Sequence, residues 1–172
     1  MGESSKAHLK ELLESFDDAM LITRHGEEMH ARPMAVADVE GANTLWFVTS
    51  TGAPKSDEIR LDSRVSVTFQ SSTRFVALSG RGVLVHDKAK IDQLWKPSWK
   101  AWFPNGKDDP SIALIQVTVT DAELWDNAGL KGIRYAFEVA KAALTGTTPD
   151  VDAAQHARVK PTNGDAPVSS RH

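Results

Sequence analysis

The chain has no cysteine, a single tyrosine and no apolar run of membrane-spanning length. Without cysteine there are no disulfides, no thiolate chemistry and no cysteine-ligated zinc or iron–sulfur centre. Excess charge is lacking too. Lys and Arg number 20 against 23 Asp and Glu, a net charge of -3, so neither nucleic acid nor an anionic membrane is expected as a partner. The N-terminal MGESSKAHLKELL is charged and has no apolar stretch of the signal-peptide type, so a cytoplasmic location is expected. Metal spacing is missing among the histidines: His25 and His30 flank a turn, and His8, His86, His156 and His172 are scattered. No metal site is expected. The glycine-rich nucleotide loops and the Gly-x-Ser-x-Gly elbow are absent. The acid pairs Glu27/Glu28 and Asp108/Asp109 fall in turns, where solvation accounts for them.

What remains is a chain of 172 residues, 41% hydrophobic and 25% charged, suited to one domain with a real core. Residues 4–16 place Leu9, Leu12, Leu13 and Phe16 at i, i+3, i+4 and i+7, an amphipathic helix. Short strand-like runs follow at residues 19–23, 29–39, 44–50, 64–70, 74–86 and 112–125. Val65, Val67 and Phe69 share one face of theirs. Gly80 and Gly82 predict a bend or bulge in the fifth run. A helix is expected over residues 87–102, with Asp87 as N-cap and Pro97 breaking or kinking it. Another is expected over 130–144. From Thr145 the composition turns to Thr, Pro, Asp, Gly and Ser, which cannot bury enough surface to offset its ordering entropy, so residues 145–172 read as a disordered tail behind a domain of residues 1–144. The sum is mainly β with peripheral helices (α+β), about six antiparallel strands, and a small barrel rather than an open sheet.

Residues 30–59 concentrate the chemistry. Pro33 interrupts a strand, which puts it at an edge, a bulge or a place where the strand leaves its neighbour. Thr49, Ser50 and Thr51 supply hydroxyls, Gly52 permits close backbone approach, and Pro54 suits the first position of a helix. Lys55 adds a positive charge beside free helix N–H groups, the parts of a phosphate site. Read alone, TSTGAPK is explained as well by an ordinary strand-to-helix loop. Trp95, Trp99 and Trp102 crowd one segment. Such rings ordinarily belong to a core or an oligomer interface, and stacking on a flat ligand is the sharper alternative.

The ordered set of motifs is more specific than any one of them. His30-Ala-Arg-Pro-Met34, Leu45-Trp-Phe-Val-Thr-Ser50, Gly52 with Lys55, Val65-Ser-Val-Thr-Phe69, Ser79-Gly-x-Gly82, Trp102-Phe-Pro104, Asp108-Asp-Pro110 and Leu124-Trp-Asp126 together resemble the general stress protein 26 family, part of the pyridoxamine 5'-phosphate oxidase-like superfamily. The resemblance covers roughly residues 8–145. It implies the FMN-binding split β-barrel fold and a homodimer with FMN held between subunits. Arg32, Pro33, Met34 and Ala35 are then implied to line the isoalloxazine ring, and Val48 and Thr49 to contact the flavin or its ribityl phosphate. Ser50 and Lys55 are implied to hold the phosphate, and Trp125 to approach the flavin from the same or the other subunit. No catalytic residue is singled out.

The departures narrow the activity. Ala37 stands where the true oxidases carry a lysine for the substrate phosphate, Phe75 stands where they carry a flavin-contacting glutamine, and their C-terminal Arg-x-His is missing. The resemblance therefore implies a flavin-dependent oxidoreductase of unknown substrate, with a reduced nicotinamide as a donor, or else a flavin-holding stress or sensor protein with slow or no turnover. Pyridoxamine 5'-phosphate oxidase activity is not expected.

Overall fold

The computed structural model describes residues 2–126 and 156–159. Helix α1 (Gly2–Glu14) leads into three strands, β1 (Asp18–His25), β2 (Glu28–Glu40) and β3 (Thr44–Ser50). Helix α2 (Pro54–Leu61) precedes β4 (Arg64–Gln70) and β5 (Arg74–Val85). Helix α3 (Lys88–Leu94), two 3-10 turns (Pro97–Ala101 and Gly106–Asp108), β6 (Ile112–Asp126) and β7 (His156–Val159) complete the described chain. The strands are antiparallel in the order β3-β2-β1-β4-β5-β6-β7, and an added β3–β6 pairing closes the first six into a barrel.

Alternation carries the barrel interior. Along β4 the pattern is exposed–buried throughout, with Val65, Val67 and Phe69 inside. They join Leu21, Leu45, Phe47, Val76, Leu78, Ile115, Val117 and Val119 in the main core. The stripe on α1 lands on the same core. Leu9, Leu12 and Leu13 are buried, and Phe16 just beyond the helix packs its ring 5.3 Å from that of Phe69. Burying each of those leucines is worth about 1.5–3 kcal/mol, enough to hold a helix with little else to fix it. A second apolar cluster lies outside the barrel, where α3 and the Pro97–Ala101 turn cover β3 and β6. Its members are Trp46, Ile91, Leu94, Trp99, Phe103, Ile112 and Leu114.

The glycine expectation for β5 is met, with a sterically explicit cause. The β5–β6 register shifts between Ser79 and Gly80, and a Cβ at Gly80 would lie 2.4 Å from the Thr118 carbonyl oxygen. Only glycine permits that approach.

Three expectations change. The helix expected over residues 87–102 ends at Leu94, because Lys96, ahead of Pro97, is held extended at φ -117 and ψ 138. A residue before proline is pushed out of the helical region by the ring, so the break comes ahead of Pro97 rather than at it. Asp87 does cap the helix, accepting from the Lys90 amide at 3.2 Å. Second, of the three places open to Pro33 the structure takes the parting of strands, and the bulge lies elsewhere. Pro33 stays in register opposite Met20, and the β2–β3 register shifts between Val36 and Asp38, leaving Ala37 as the extra residue. Third, the tail from Thr145 is not wholly without structure: His156–Val159 pairs with Ala122–Trp125 of β6, continuing along the edge that β3 leaves beyond Thr118. The helix expected over residues 130–144 and the rest of the tail lie outside the described residues.

Candidate functional site: a split between two strands

Strand β2 changes partners along its length. Residues 28–35 pair with β1, and residues 36–40 pair with β3. Strand β3 pairs with β2 only through Phe47, while its last three residues, Val48 to Ser50, keep β6 alone. Beyond Val36 and Phe47 the two strands therefore splay. Into the gap opens a cavity of about 390 Å³, walled by Pro33, Met34 and Ala35 on one side and Val48, Thr49 and Ser50 on the other. Ala53 and Lys55 close one end, and Trp99, Trp102 and Phe103 supply an aromatic flank.

The proline fits this position for a simple reason. The Val36 amide donates to the Asp17 carbonyl at 2.8 Å, so residue 36 faces β1. Backbone groups alternate sides along a strand, which turns residues 35 and 33 away from β1 and toward the gap. The donor that Pro33 lacks is thus one the β1–β2 ladder never needed.

The β3–α2 connection is braced from within. Ser56 Oγ donates to the Ser50 carbonyl at 2.7 Å, and the Ala53 amide donates to the same carbonyl at 3.1 Å. The Thr51 amide donates to the Ser111 carbonyl at 2.9 Å. Thr49 is buried, with its hydroxyl on the Ser50 carbonyl at 3.4 Å. Helix α2 starts at Pro54 with Ala53 as N-cap, and no side chain caps it. Pro54 has no N–H and the Ser56 amide donates to the Ala53 carbonyl at 2.8 Å, so of the first turn the Lys55 amide is the donor left for a ligand or water.

Lys55 stands at that uncapped start, half-buried, with no hydrogen-bond or ion-pair partner among the described residues. Burial pushes its ammonium below the ordinary lysine range, the Arg32 charge pushes the same way, and Glu58 opposes them. A partly desolvated cation with no direct ion-pair partner among the described residues, beside its own open backbone amide, has the chemistry to take an anion.

Seven of the nine residues singled out from the sequence, Pro33, Met34, Ala35, Val48, Thr49, Ser50 and Lys55, line this one cavity. Arg32 does not. Its guanidinium turns into the barrel wall, where Nη2 donates to Glu58 Oε2 at 2.9 Å and Nη1 donates to the Thr23 hydroxyl. Trp125 lies on β6 directly opposite Phe75 of β5, outside the cavity lining.

The sequence left the tryptophan segment open between core and ligand wall, and it gave little sign of a buried polar network. Trp99 and Phe103 serve at once as members of the outer apolar cluster and as cavity wall, while Trp102 stands 80% exposed at the rim. Behind the cavity lies a buried polar network. The Glu58 carboxylate is 5% exposed and takes hydrogen bonds from Thr23, Arg32 and His30, whose Nδ1 is 2.7 Å from Oε1. Burial alone raises a carboxyl, but the Thr23 and His30 hydrogen bonds and the Arg32 charge outweigh it and hold Glu58 at about 2. His30 is correspondingly raised by its hydrogen bond to Glu58. The one sequence cue was Glu58 three residues after Lys55, on the same side of a short helix.

A closed antiparallel barrel, split where β2 and β3 part beside an apolar cavity, defines the split β-barrel class. The chain belongs to the pyridoxamine 5'-phosphate oxidase-like family, whose model matches residues 4–150. Among solved structures it is similar to the general stress FMN/FAD binding protein of Xanthomonas citri, at 32% identity and TM-score 0.63 over 75% of this chain and 92% of that one. A protein described as a general stress protein 26 from Jannaschia sp. CCS1 shares the fold, with TM-score 0.70 and 24% identity over 91% of this chain and 99% of that one. Among curated proteins it is similar to general stress protein 26 of Bacillus subtilis, 26% identical over 93 residues, and to protein bli-3 of Neurospora crassa, 29% identical over 117 residues. Those matches cover 51% and 60% of this chain, and span 65% and 56% of the two relatives' own length.

Proposed function

We propose that the cavity between β2 and β3 binds FMN, with its phosphate on Lys55 and the start of α2. The observation that carries this reading is Lys55 itself, a half-buried cation without a partner where an apolar cleft meets an uncapped helix. The lining suits the rest of the group. Pro33, Val48, Trp99 and Phe103 offer apolar surface to a flat ring, and the open edge of residues 33–35 offers backbone groups to its polar rim. Ser50 and Thr49 lie on the path between ring and phosphate. FMN, when bound, supplies hydride and electron transfer. The chain holds the ring against β2, fixes the phosphate and keeps water from the apolar side.

In this reading the protein is a homodimer with a cofactor between subunits. Trp125, beside Phe75 on the wall of β5 and β6, meets the flavin of the second copy. The activity is that of a flavin-dependent oxidoreductase taking electrons from a reduced nicotinamide, in the cytoplasm. No helix among the described residues is long and apolar enough to cross a membrane.

One observation favours a second reading, a flavin-holding protein with slow turnover. Among the described residues the cavity lining contains no carboxylate, imidazole or thiol to move a proton, and Ala37, where the related oxidases hold a substrate phosphate, packs into the outer apolar cluster. The test has two parts. Titrating FMN and riboflavin into the protein should show FMN binding the more tightly, with Lys55→Ala removing the difference; equal affinities for both flavins would sink the phosphate assignment. Adding NADH or NADPH anaerobically to the FMN-loaded protein then separates the readings. Bleaching within seconds supports the oxidoreductase, and an unchanged flavin spectrum supports the holder.

A further inference from the structure

We propose that Glu58 is a positioning residue for the anion end of the cavity: its buried carboxylate keeps Arg32 and His30 in the barrel wall and balances Lys55 as the single cation that faces the ligand. This rests on the reading of the cavity as a phosphate-bearing cofactor site, and it goes beyond that reading in assigning work to residues that do not touch the cofactor.

Pro33 and Met34 line the cavity, yet Arg32, the residue before them, sends its guanidinium the other way. Thr23 is fully buried and both accepts from Arg32 and donates to Glu58, so the three side chains fix one another. His30 holds the remaining carboxylate oxygen at 2.7 Å. Because Glu58 lies one turn after Lys55 on α2, anchoring Glu58 to β1 and β2 also sets the position of Lys55 at the helix start. A buried carboxylate so fully bonded is costly to desolvate, and a fold gains little stability from it that apolar packing could not supply. A charge-setting task explains its presence better.

The charges around Lys55 are few. Arg32 comes from β2 and Glu58 from its own helix, while β3 and the Trp99–Phe103 segment bring no charged side chain to the cavity. Elsewhere on α2, Asp57 pairs with Arg60. From β1, Arg24 is taken by Asp62 beyond the helix end, and from β5, Arg81 reaches Ser63. Beyond His30 the network meets Glu28, 3.5 Å from His30 Nε2, and the His25 ring, stacked 5.4 Å from that of His30. Arg32 and Glu58 therefore act on Lys55 with opposite sign, in line with the direction in which each moves its protonation.

The experiment is a carbon-13 NMR titration of the Lys55 side chain in the ligand-free protein, assigned with Lys55→Arg, for wild type, Glu58→Gln and Arg32→Gln. The Lys55 midpoint should move to lower pH in Glu58→Gln and to higher pH in Arg32→Gln. A purely structural role would not produce opposite shifts, and a midpoint unmoved by either change overturns the proposal. If Glu58→Gln fails to fold, Glu58→Asp, which keeps the charge but draws it back from its partners, should still lower the Lys55 midpoint, and an unmoved midpoint there overturns the proposal. A parallel measurement follows FMN affinity against pH, with riboflavin as the phosphate-free control. Affinity for FMN, and not for riboflavin, should begin its alkaline decline at lower pH in Glu58→Gln than in wild type; superimposable declines overturn the role toward the cofactor. Opposite Lys55 shifts in a protein that binds no FMN would support the Glu58 assignment and sink the cofactor reading alone.

Discussion

Two side chains one turn apart on α2 have opposite surroundings. Glu58 is buried, charged and bonded on both oxygens, by Thr23, Arg32 and His30. Lys55 is half-buried, charged and bonded to nothing among the described residues. The fold completes the partners of one buried charge and leaves its neighbour open. For the proposed cofactor, their difference marks an anion end of the cavity, which shape alone does not.

The strongest way to break this contrast is to remove Glu58. Glu58→Ala leaves Arg32 and Thr23 without their acceptor and should cost about 3 kcal/mol, the low end of the range for a broken buried pair, since Arg32 keeps some solvent contact. Urea denaturation measures it, and a loss below the level of an ordinary surface substitution would show that the network is idle. Acid sharpens the same point. Glu58 is depressed from 4.5 to about 2 in the folded chain. A depressed carboxyl contributes stability above its unfolded value, and that contribution is lost as pH falls through the folded value. The wild type should therefore lose stability between roughly pH 4.5 and pH 2, and Glu58→Gln should lack that component of the loss.

Next in size, Lys55→Ala should weaken FMN binding by about 1.5–3 kcal/mol, the range for a hydrogen bond to a charged group, while leaving stability unchanged or slightly raised. Flavin fluorescence titration and urea denaturation on the same sample check both halves. A large loss of stability would make Lys55 a structural residue and erase the contrast. Thr23→Val keeps the shape but removes one hydroxyl from the network, at about 1–2 kcal/mol. Smallest of all, Trp102→Ala should change stability by less than about 0.5 kcal/mol, because an indole 80% exposed has little packing to lose, while still altering flavin affinity at the cavity rim.

What sequence disclosed followed the range of the interactions involved. Alternation at Val65, Val67 and Phe69 and the spacing of Leu9, Leu12 and Leu13 are local patterns, and the elements they announced are there. Of the seven expected residues that do line the cavity, Pro33, Thr49, Ser50 and Lys55 were marked by their own chemistry in two strands and the loop that follows, whereas Met34, Ala35 and Val48 were named through the family resemblance alone. The aromatic flank was harder to read: Trp99 and Phe103 reach the site only because α3 folds back over β3 and β6, a placement that no local pattern encodes. The Thr23–Glu58 bond joins residues 35 apart, and the direction taken by Arg32 depends on it. The bulge went to Ala37 rather than Pro33 because its cause is the exchange of partner strands, and only the assembled barrel defines where that exchange falls.

That extra residue has a consequence for how the chain tolerates change. Before Ala37 the even-numbered residues Met34 and Val36 turn toward the main core; after it the odd-numbered Val39 does, while Ala37 joins the outer cluster. The bulge is a phase change in the strand. Deleting a single residue between Val36 and Asp38 would put the two halves of β2 out of step, casting either Met34 or Val39 into solvent and realigning the split edge with it. Substitutions along this segment are matters of side-chain size, whereas its length is fixed, so natural variation should reach it as point changes and leave insertions and deletions to the exposed turn at Gly26; the turn at Gly41 is tied down, since Ala42 packs on the main core and the Asn43 carbonyl accepts from the Val119 amide at 2.8 Å.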